Sequence, residues 1–288
     1  MKVGILVFPG SNCDYDMYRA LRDTAGAEAE YIWHQTRRLS GYDAIVVPGG
    51  FSYGDYLRAG SIARFAPAME AVRDFAEKGK AVIGVCNGFQ ILLEAGLLPG
   101  AMLRNQHLSF LCQWVYVRVE NTSTPLTFGL KRGQVLKIPI AHKEGNYYAT
   151  PEMLQDIERK GLVAFRYCDS EGRLTAEANP NGSLASIAGM ANERGNVVAM
   201  MPHPERAVES CLGSRDGLRL LGAVRSWLKG REKKQREALT PAGHLLYNIK
   251  NKRNSPVKED GPFPRREGRW GGGKTPAGKR VNIGRITL

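Results

Sequence analysis

The chain has 288 residues, of which 43% are hydrophobic and 24% are charged, so it can bury a core in one large domain or two small ones. A chain of this composition is not disordered over its whole length, and no apolar run approaches the length that spans a membrane. The formal net charge of +13 would point to a nucleic-acid partner, but most of it lies in residues 229–288, which leaves residues 1–228 close to neutral.

The first part of the chain alternates between strand and helix patterns. Asp14 is expected to be the N-cap of a helix that ends at Gly26, and Ser61 the N-cap of a helix with Phe65 on its buried face and its end at Gly79. Strands are predicted at residues 2–8, 31–33, 43–47 and 81–85. This rhythm predicts an α/β fold, a flavodoxin-like, doubly wound, mostly parallel sheet with helices on both faces.

A pair of glycines, Gly49 and Gly50, follows the apolar strand at residues 43–47. Adjacent glycines at the carboxyl end of a buried strand let backbone N–H groups face a ligand, and open α/β sheets place their sites there. We therefore interpret Gly49 and Gly50 as part of an oxyanion loop. An ordinary glycine turn is the alternative.

The next strand ends in Gly84-Val85-Cys86-Asn87-Gly88, and an amphipathic run follows as far as Gly96. This spacing is typical of a nucleophile elbow, here with a cysteine at its tip. The N-terminus of the following helix would favour a thiolate and an oxyanion at Cys86, and Gln90 lies on the same helix face. A small buried cysteine with glycines as packing spacers explains the pentapeptide equally well.

An added β-rich segment follows Gly100, and a last helix begins near Asp216. Its strands are predicted at residues 114–120, 134–140, 163–167, 185–190 and 197–201. Pro202 and Pro204 predict extended chain, on which His203 and Glu205 would project to the same side. A histidine beside a carboxylate suits a base that an acid orients, so Cys86, His203 and Glu205 are candidates for a catalytic triad.

The five cysteines are scattered, and an odd number cannot all pair within one chain. Free thiols in a reducing compartment fit best, and the N-terminus runs directly into a strand, so we expect a cytoplasmic protein. No group of residues has zinc-ligand spacing, so no metal is expected.

These motifs together resemble the class I, triad-type glutamine amidotransferases. The similarity rests on Pro48-Gly49-Gly50, on the elbow from Gly84 to Gln90 and on Pro202-His203-Pro204-Glu205, all in that family's order. Further segments resemble the glutaminase subunits of phosphoribosylformylglycinamidine synthase over residues 1–228. These segments are residues 7–14, 49–60, 179–183 and 200–206. One departure is Lys143, where the family has glycine, and it puts docking of the synthase partner in doubt.

The resemblance implies that Cys86 attacks the side-chain amide of glutamine while His203 transfers protons and Glu205 orients it. Gly49, Gly50, Asn87 and Gln90 would form the oxyanion and substrate contacts. Ammonia would pass to a separate synthase subunit, in a complex with a small third subunit. No cofactor is expected in this chain, and ATP and Mg²⁺ are expected on the synthase partner. The product would be formylglycinamidine ribonucleotide, in purine biosynthesis.

Other interpretations fit parts of the sequence. A peptidase or stress sensor with a lone cysteine would lack the His203-Pro204-Glu205 segment, and a glutaminase subunit could serve a different synthase. Residues 229–288 carry 16 Lys and Arg against 5 Asp and Glu, and beyond Pro241 they are rich in glycine and proline. We interpret them as a basic, disordered extension that is inert or accidental rather than an RNA-binding arm. A match to the phosphate-loop pattern at residues 268–275 lacks the flanking strand and helix.

Overall fold

The computed structural model describes residues 1–239, with side chains as far as residue 233, and eleven strands lie within this part. The strands are β1 (Lys2–Val7), β2 (Glu28–Trp33), β3 (Ala44–Val47), β4 (Ala81–Val85), β5 (Ala101–Leu103), β6 (Leu111–Val119), β7 (Val135–His142), β8 (Asn146–Tyr148), β9 (Val163–Cys168), β10 (Ile187–Ala191) and β11 (Val197–Met200). The helices of this part are α1 (Asp14–Arg19), which continues into a π-helical segment at Ala20–Thr24, α2 (Pro67–Glu77), α3 (Asn87–Glu94), α4 (Pro151–Arg159) and α5 (Asp216–Leu239).

Nine strands form one sheet in the order β2-β1-β3-β4-β11-β10-β9-β6-β7. The pairs from β2 to β11 are parallel, and the pairs from β11 to β7 are antiparallel. The β-rich segment therefore extends the parallel sheet, while β5 and β8 form a separate two-stranded sheet. The predicted fold class is confirmed. Every residue of β3, β4 and β11 is buried, which explains why these runs show no polar alternation.

The helices of the first half cover the parallel strands. α1 contacts β1 and β2, α2 contacts β4, and α3 contacts β3, β4 and β11. The crossover from β1 to β2 and the one from β3 to β4 run in opposite directions along the sheet, so right-handed connections place α1 and α2 on opposite faces.

The predicted start of α2 is wrong. Pro67 is its first residue, and Ala66 before it is extended (φ −63°, ψ 141°), because the proline ring disfavours helical geometry in the preceding residue. Residues 63–65 instead form a separate 3₁₀ turn, and Phe65 is 72% exposed rather than buried. The Ser61 hydroxyl donates to the carbonyls of Tyr56 and Arg58 and so fixes the loop before α2.

Two smaller elements also differ from the prediction. Asp14 is the first residue of α1 and Cys13 takes the N-cap position, without a side-chain cap. The pattern missed α4 together with β5 and β8, although Thr150-Pro151 is a helix start: the Thr150 hydroxyl accepts a bond from Met153 N at 3.3 Å.

The last helix continues as far as Leu239, which confirms that the charged stretch after Lys229 extends it. The division at residue 228 stays a prediction. The expected disorder beyond Pro241 and the phosphate-loop match at residues 268–275 lie outside the described residues. Across the part that the structure describes, no helix combines the length and apolar character needed to cross a membrane.

Candidate active site

Three neighbouring parallel strands end at the same edge of the sheet, and each carries a predicted site residue. β3 runs into Gly49 and Gly50, β4 into Cys86, and β11 into the segment that holds His203. Val47 pairs with Gly84, and Met200 pairs with Val85, so the three strand ends are level. Parallel pairing thus brings together segments that lie more than 100 residues apart in the chain.

Cys86 occupies a strained turn between β4 and α3. Its φ of 50° and ψ of −107° are rare for a residue with a side chain, as expected at the tip of a nucleophile elbow. Cys86 N donates to Met200 O at 2.8 Å, which anchors the turn to β11. The thiol is buried and makes a hydrogen bond to Ala141 O at 3.6 Å. The first N–H groups of α3 have no acceptor within the helix. One of them belongs to Asn87, the residue directly after Cys86.

Gly88 is needed because α3 passes directly over β3. A Cβ at this position would lie 1.8 Å from Val47 O, a backbone atom that cannot move aside. We expect Gly88→Ala to destabilise the fold by about 1–3 kcal/mol or more, since overpacking forces the backbone apart. Denaturant unfolding checks this, with Gly222→Ala as the matched control. A Cβ at Gly222, in the exposed part of α5, meets nothing within 4 Å and should leave stability equal or higher. Equal stability of the two variants would contradict the packing argument.

His203 and Glu205 form a buried pair, with Nδ1 of His203 2.6 Å from Oε1 of Glu205. Burial disfavours the imidazolium, but the charge of Glu205 and the sulfur of Cys86 outweigh it, so the pKa of His203 is raised well above its ordinary value. The predicted extended chain is confirmed at His203 (φ −99°, ψ 90°) and is wrong at Pro204 and Glu205. Pro204 begins a 3₁₀ turn, because proline is tolerated at the first position of a helical turn.

Cys13 is a neighbour of this pair that the sequence did not single out. Arg206 Nη2 donates to its sulfur at 3.2 Å, and burial raises the pKa of the thiol, so it stays neutral at pH 7. The sulfur, a nitrogen of His203 and a carboxylate oxygen of Glu205 lie within 4.8 Å of one another, a donor set that suits a soft divalent cation. The guanidinium of Arg206 already contacts the Cys13 sulfur, and its positive charge opposes the binding of a metal cation at this site.

A cleft of about 310 Å³ opens beside Cys86. Its lining comprises Gly50, Phe51, Asp55, Cys86, Gln90, Arg104, Phe110, Ala141, His142, Lys143 and Glu144. Of the predicted substrate contacts, Gly50 (φ 140°) and Gln90 therefore lie in the cleft with the sulfur. Gly49 instead lies against the histidine, where a Cβ would be 2.8 Å from His203 Cε1.

Asn87 and Gln90 connect the loops around the cleft. Asn87 Oδ1 accepts a bond from Ser52 N, and Asn87 Nδ2 donates to Asp55 Oδ1 at 3.1 Å and to Gln90 Oε1 at 2.9 Å. Gln90 Nε2 donates to Glu144 O at 2.6 Å. The two amides thus fix the walls of the cleft relative to α3, and their predicted contact with substrate stays a prediction.

Lys143 is exposed and lines this cleft, so the departure from glycine concerns the substrate site as well as docking. Sequence reasoning missed Asp55, Arg104, Phe110 and His142 because they reach the cleft from four separate loops and strand ends. Asp55 lies within residues 49–60, a segment that resembles the family, and His142 and Glu144 flank the departure at Lys143. That resemblance is their only signal in the sequence.

The fold and this site define a glutamine amidotransferase of the triad type. The family model of the CobB/CobQ-like glutamine amidotransferase domain matches residues 1–229. Phosphoribosylformylglycinamidine synthase subunit PurQ of Moorella thermoacetica is 57% identical over 227 residues, which cover 79% of this chain and 96% of the relative. The PurQ subunit of Thermomicrobium roseum is 57% identical over 226 residues, 78% of this chain and 96% of the relative. The chain therefore belongs to the PurQ family within the glutamine amidotransferases.

Solved structures agree with this family. A chain of PurLQS from Thermotoga maritima matches with a TM-score of 0.69 and 41% identity, over 79% of this chain and 98% of that one. A chain from Thermoplasma acidophilum that is described as part of a GMP synthase matches with a TM-score of 0.55, over 82% of this chain and 98% of that one. At 16% identity, the second likeness shows the shared fold alone.

Proposed function

We propose that this chain is the glutaminase subunit of a phosphoribosylformylglycinamidine synthase. It hydrolyses glutamine to glutamate and ammonia, and the ammonia passes to a separate synthase subunit. That subunit uses ATP to convert formylglycinamide ribonucleotide to formylglycinamidine ribonucleotide in purine biosynthesis. The observation that carries the proposal is a cysteine on a strained turn beside a buried His203–Glu205 pair, in a chain 57% identical to PurQ subunits.

In this mechanism the Cys86 sulfur attacks the carboxamide carbon of glutamine, and His203 holds the thiol proton as an imidazolium. The raised pKa of His203 supports this role, since it favours the charged imidazole beside a negative sulfur. The negative oxygen that forms on the substrate would accept bonds from the backbone N–H groups of Gly50 and Asn87. Collapse of the tetrahedral intermediate breaks the C–N bond as His203 returns its proton to the leaving ammonia.

The second half of the reaction releases glutamate. A water molecule gives a proton to the now neutral His203 and attacks the γ-glutamyl thioester, and the sulfur leaves. Glu205 holds Nδ1 of His203 throughout, so that Nε2 faces the reacting atoms. Nε2 of His203 makes no hydrogen bond to another described residue, so it is available to the thiol proton and to the leaving ammonia.

The surface beside the cleft supports a synthase partner. In the loop after β3, Leu57 is 91% exposed and Tyr56 is 73% exposed, and Phe110 on the cleft rim is 49% exposed. Large apolar side chains grouped at a cleft mouth are typical of a protein interface. A solved relative is described as PurLQS, which supports a synthase partner and, as a further proposal, a small third subunit.

The chemistry on this chain needs no cofactor, because the thiol, imidazole and backbone N–H groups supply every proton transfer and charge contact. ATP and Mg²⁺ would act on the synthase partner. A cytoplasmic location is also proposed, since all five cysteines are free, as in a reducing compartment.

The experiment that tests the function is glutamate release from glutamine by the full-length chain. It is measured alone and with the synthase subunit, formylglycinamide ribonucleotide and ATP. We expect turnover to rise when the partner is present, with formylglycinamidine ribonucleotide formed in equal amount. Turnover only with another ammonia-using synthase would move the chain to a different pathway. Absence of glutamate release with every partner would refute the proposal.

A further inference from the structure

Asp55 is a carboxylate without a cationic partner in the cleft of the nucleophile. It is half-buried, and its Oδ1 accepts a hydrogen bond from Asn87 Nδ2. Among the described residues, no lysine, arginine or histidine lies within ion-pair distance of it. Burial and then the charge of Glu144 raise the pKa of Asp55 to about 6. Such a group is stabilised by any ligand that brings a positive charge.

His142 provides an unsatisfied hydrogen-bond acceptor in the same cleft. Asn105 Nδ2 donates to the carbonyls of Ser109 and His142, so Asn105 Oδ1 is the acceptor for His142 Nδ1 at 3.0 Å. The proton therefore sits on Nδ1, and Nε2 is an acceptor with no partner in the described part of the chain. Burial and then the charge of His203 lower the pKa of His142 to about 4, which keeps the ring neutral.

The cleft wall complements both charges of a free α-amino acid. Asp55 and Glu144 supply negative charge, and Arg104 and Lys143 supply positive charge. Glutamine carries its ammonium and carboxylate at one end, and its carboxamide, which must reach Cys86, at the other. The unpartnered Nε2 of His142 and the carboxylate of Asp55, which has no cationic partner among the described residues, both suit a ligand with N–H donors.

The position of Asp55 is fixed relative to the nucleophile. Its φ of 52° is held within a loop whose Ser52 N donates to Asn87 Oδ1 at 3.1 Å, and Asn87 is the residue after Cys86. Ala59 N, further along the same loop, donates to Glu144 Oε2 at 3.3 Å. A carboxylate held in this way can bind a charge without first being ordered.

We propose that Asp55 binds the α-ammonium group of the substrate and thereby restricts this site to glutamine with a free α-amino group. The inference rests on the proposed glutaminase function. Glutamine residues within peptides, whose α-nitrogen is acylated, would be excluded because they bring no positive charge to Asp55.

The test is the glutaminase kinetics of the full-length chain with its synthase partner. Asp55→Asn should raise KM for glutamine about 10- to 100-fold, the usual loss for one hydrogen bond to a charged group, and change kcat by less than about threefold. Inhibition by glutaramic acid, which lacks the α-amino group, should be equally strong in both proteins. Glu94→Gln is the matched control, because Glu94 holds Arg58 of the same loop at 2.6 Å but lies outside the cleft.

A second measurement follows KM for glutamine as a function of pH in both proteins. As pH falls through about 6, Asp55 becomes protonated and KM of the wild-type protein should rise, while KM of Asp55→Asn stays level. The groups around Asp55 are Glu144 and Asn87, with Arg104, His142 and Lys143 elsewhere on the cleft wall. An unchanged KM in the variant, or an equal loss of glutaramic acid inhibition, would overturn the proposal. Absence of glutamate release by the wild-type complex would instead overturn the function on which it rests.

Discussion

Replacing Cys86 with alanine should lower glutamine-dependent turnover by about 10⁴-fold or more, since removal of a nucleophile abolishes the covalent route. The structure gives this residue no other task that alanine would fail to perform. Its backbone N–H bond to Met200 O remains, and the lost thiol bond to Ala141 O is long at 3.6 Å. The variant should therefore fold and assemble normally. Synthesis with ammonium chloride in place of glutamine should continue at the wild-type rate in the assembled complex.

The control for the Cys86 variant is Cys112→Ala, because Cys112 is exposed and is not itself part of the cleft lining. A glutamine-like chloroketone should label the wild-type protein and Cys112→Ala equally, and should leave Cys86→Ala unlabelled. Glutamine-dependent synthesis at the wild-type rate by Cys86→Ala would rule out the triad. Loss of the ammonia-dependent rate as well would show that the substitution acts on assembly rather than on chemistry.

The local parts of the site could be predicted from the sequence. The strand, turn and helix around Cys86 depend on constraints within a few residues: Gly84 and Gly88 leave space that β3 and α3 occupy, and Cys86 takes a φ of 50°. A Cβ at Gly84 would lie 2.6 Å from Leu92 Cδ1, so the spacing reflects close packing rather than flexibility. Short-range sterics of this kind leave a clear pattern in the sequence.

The non-local parts could not be predicted in this way. Cys13 reaches the triad because β1 lies beside β3 in the sheet, and strand order is not readable from the periodicity of either strand. Asp55 and His142 are polar residues in irregular segments, and nothing local shows that both line one cleft. Their chemistry depends on burial, which shifts the pKa of each in the direction of the neutral form.

Proline caused two of the errors. The sequence pattern places no helix boundary at Pro67 and predicts extended chain at Pro204, yet both residues occupy the first helical position. The ring fixes φ near the helical value and lacks an N–H that would be unpaired there in any case. The predicted contact between Glu205 and His203 is nevertheless made. The 3₁₀ turn, rather than extended chain, places Glu205 Oε1 2.6 Å from His203 Nδ1.

Glu205→Gln is the second change with a large expected effect. The amide keeps the shape of the side chain but removes the negative charge that raises the pKa of His203, and it can present an N–H where Nδ1 needs an acceptor. We expect kcat to fall by about 10²- to 10⁴-fold, in line with the loss of the orienting acid in other triads. The remaining activity should also begin to fall at a lower pH on the alkaline side of its pH profile. Without the carboxylate the pKa of His203 is lower, so its imidazolium gives up its proton more easily.

The matched control for this charge is Glu209→Gln, an exposed acid in the same segment. It should leave kcat and the pH profile unchanged. The side chain of Glu205 is fully buried and its Oε2 has no hydrogen-bond partner within the described residues, so the hydrogen bond of this carboxylate runs through Oε1 to His203. A structural role alone would lower stability and leave the pH profile in place. A shifted alkaline limb in a stably folded Glu205→Gln protein therefore separates electrostatic control of His203 from packing, and an unshifted limb would assign Glu205 to packing.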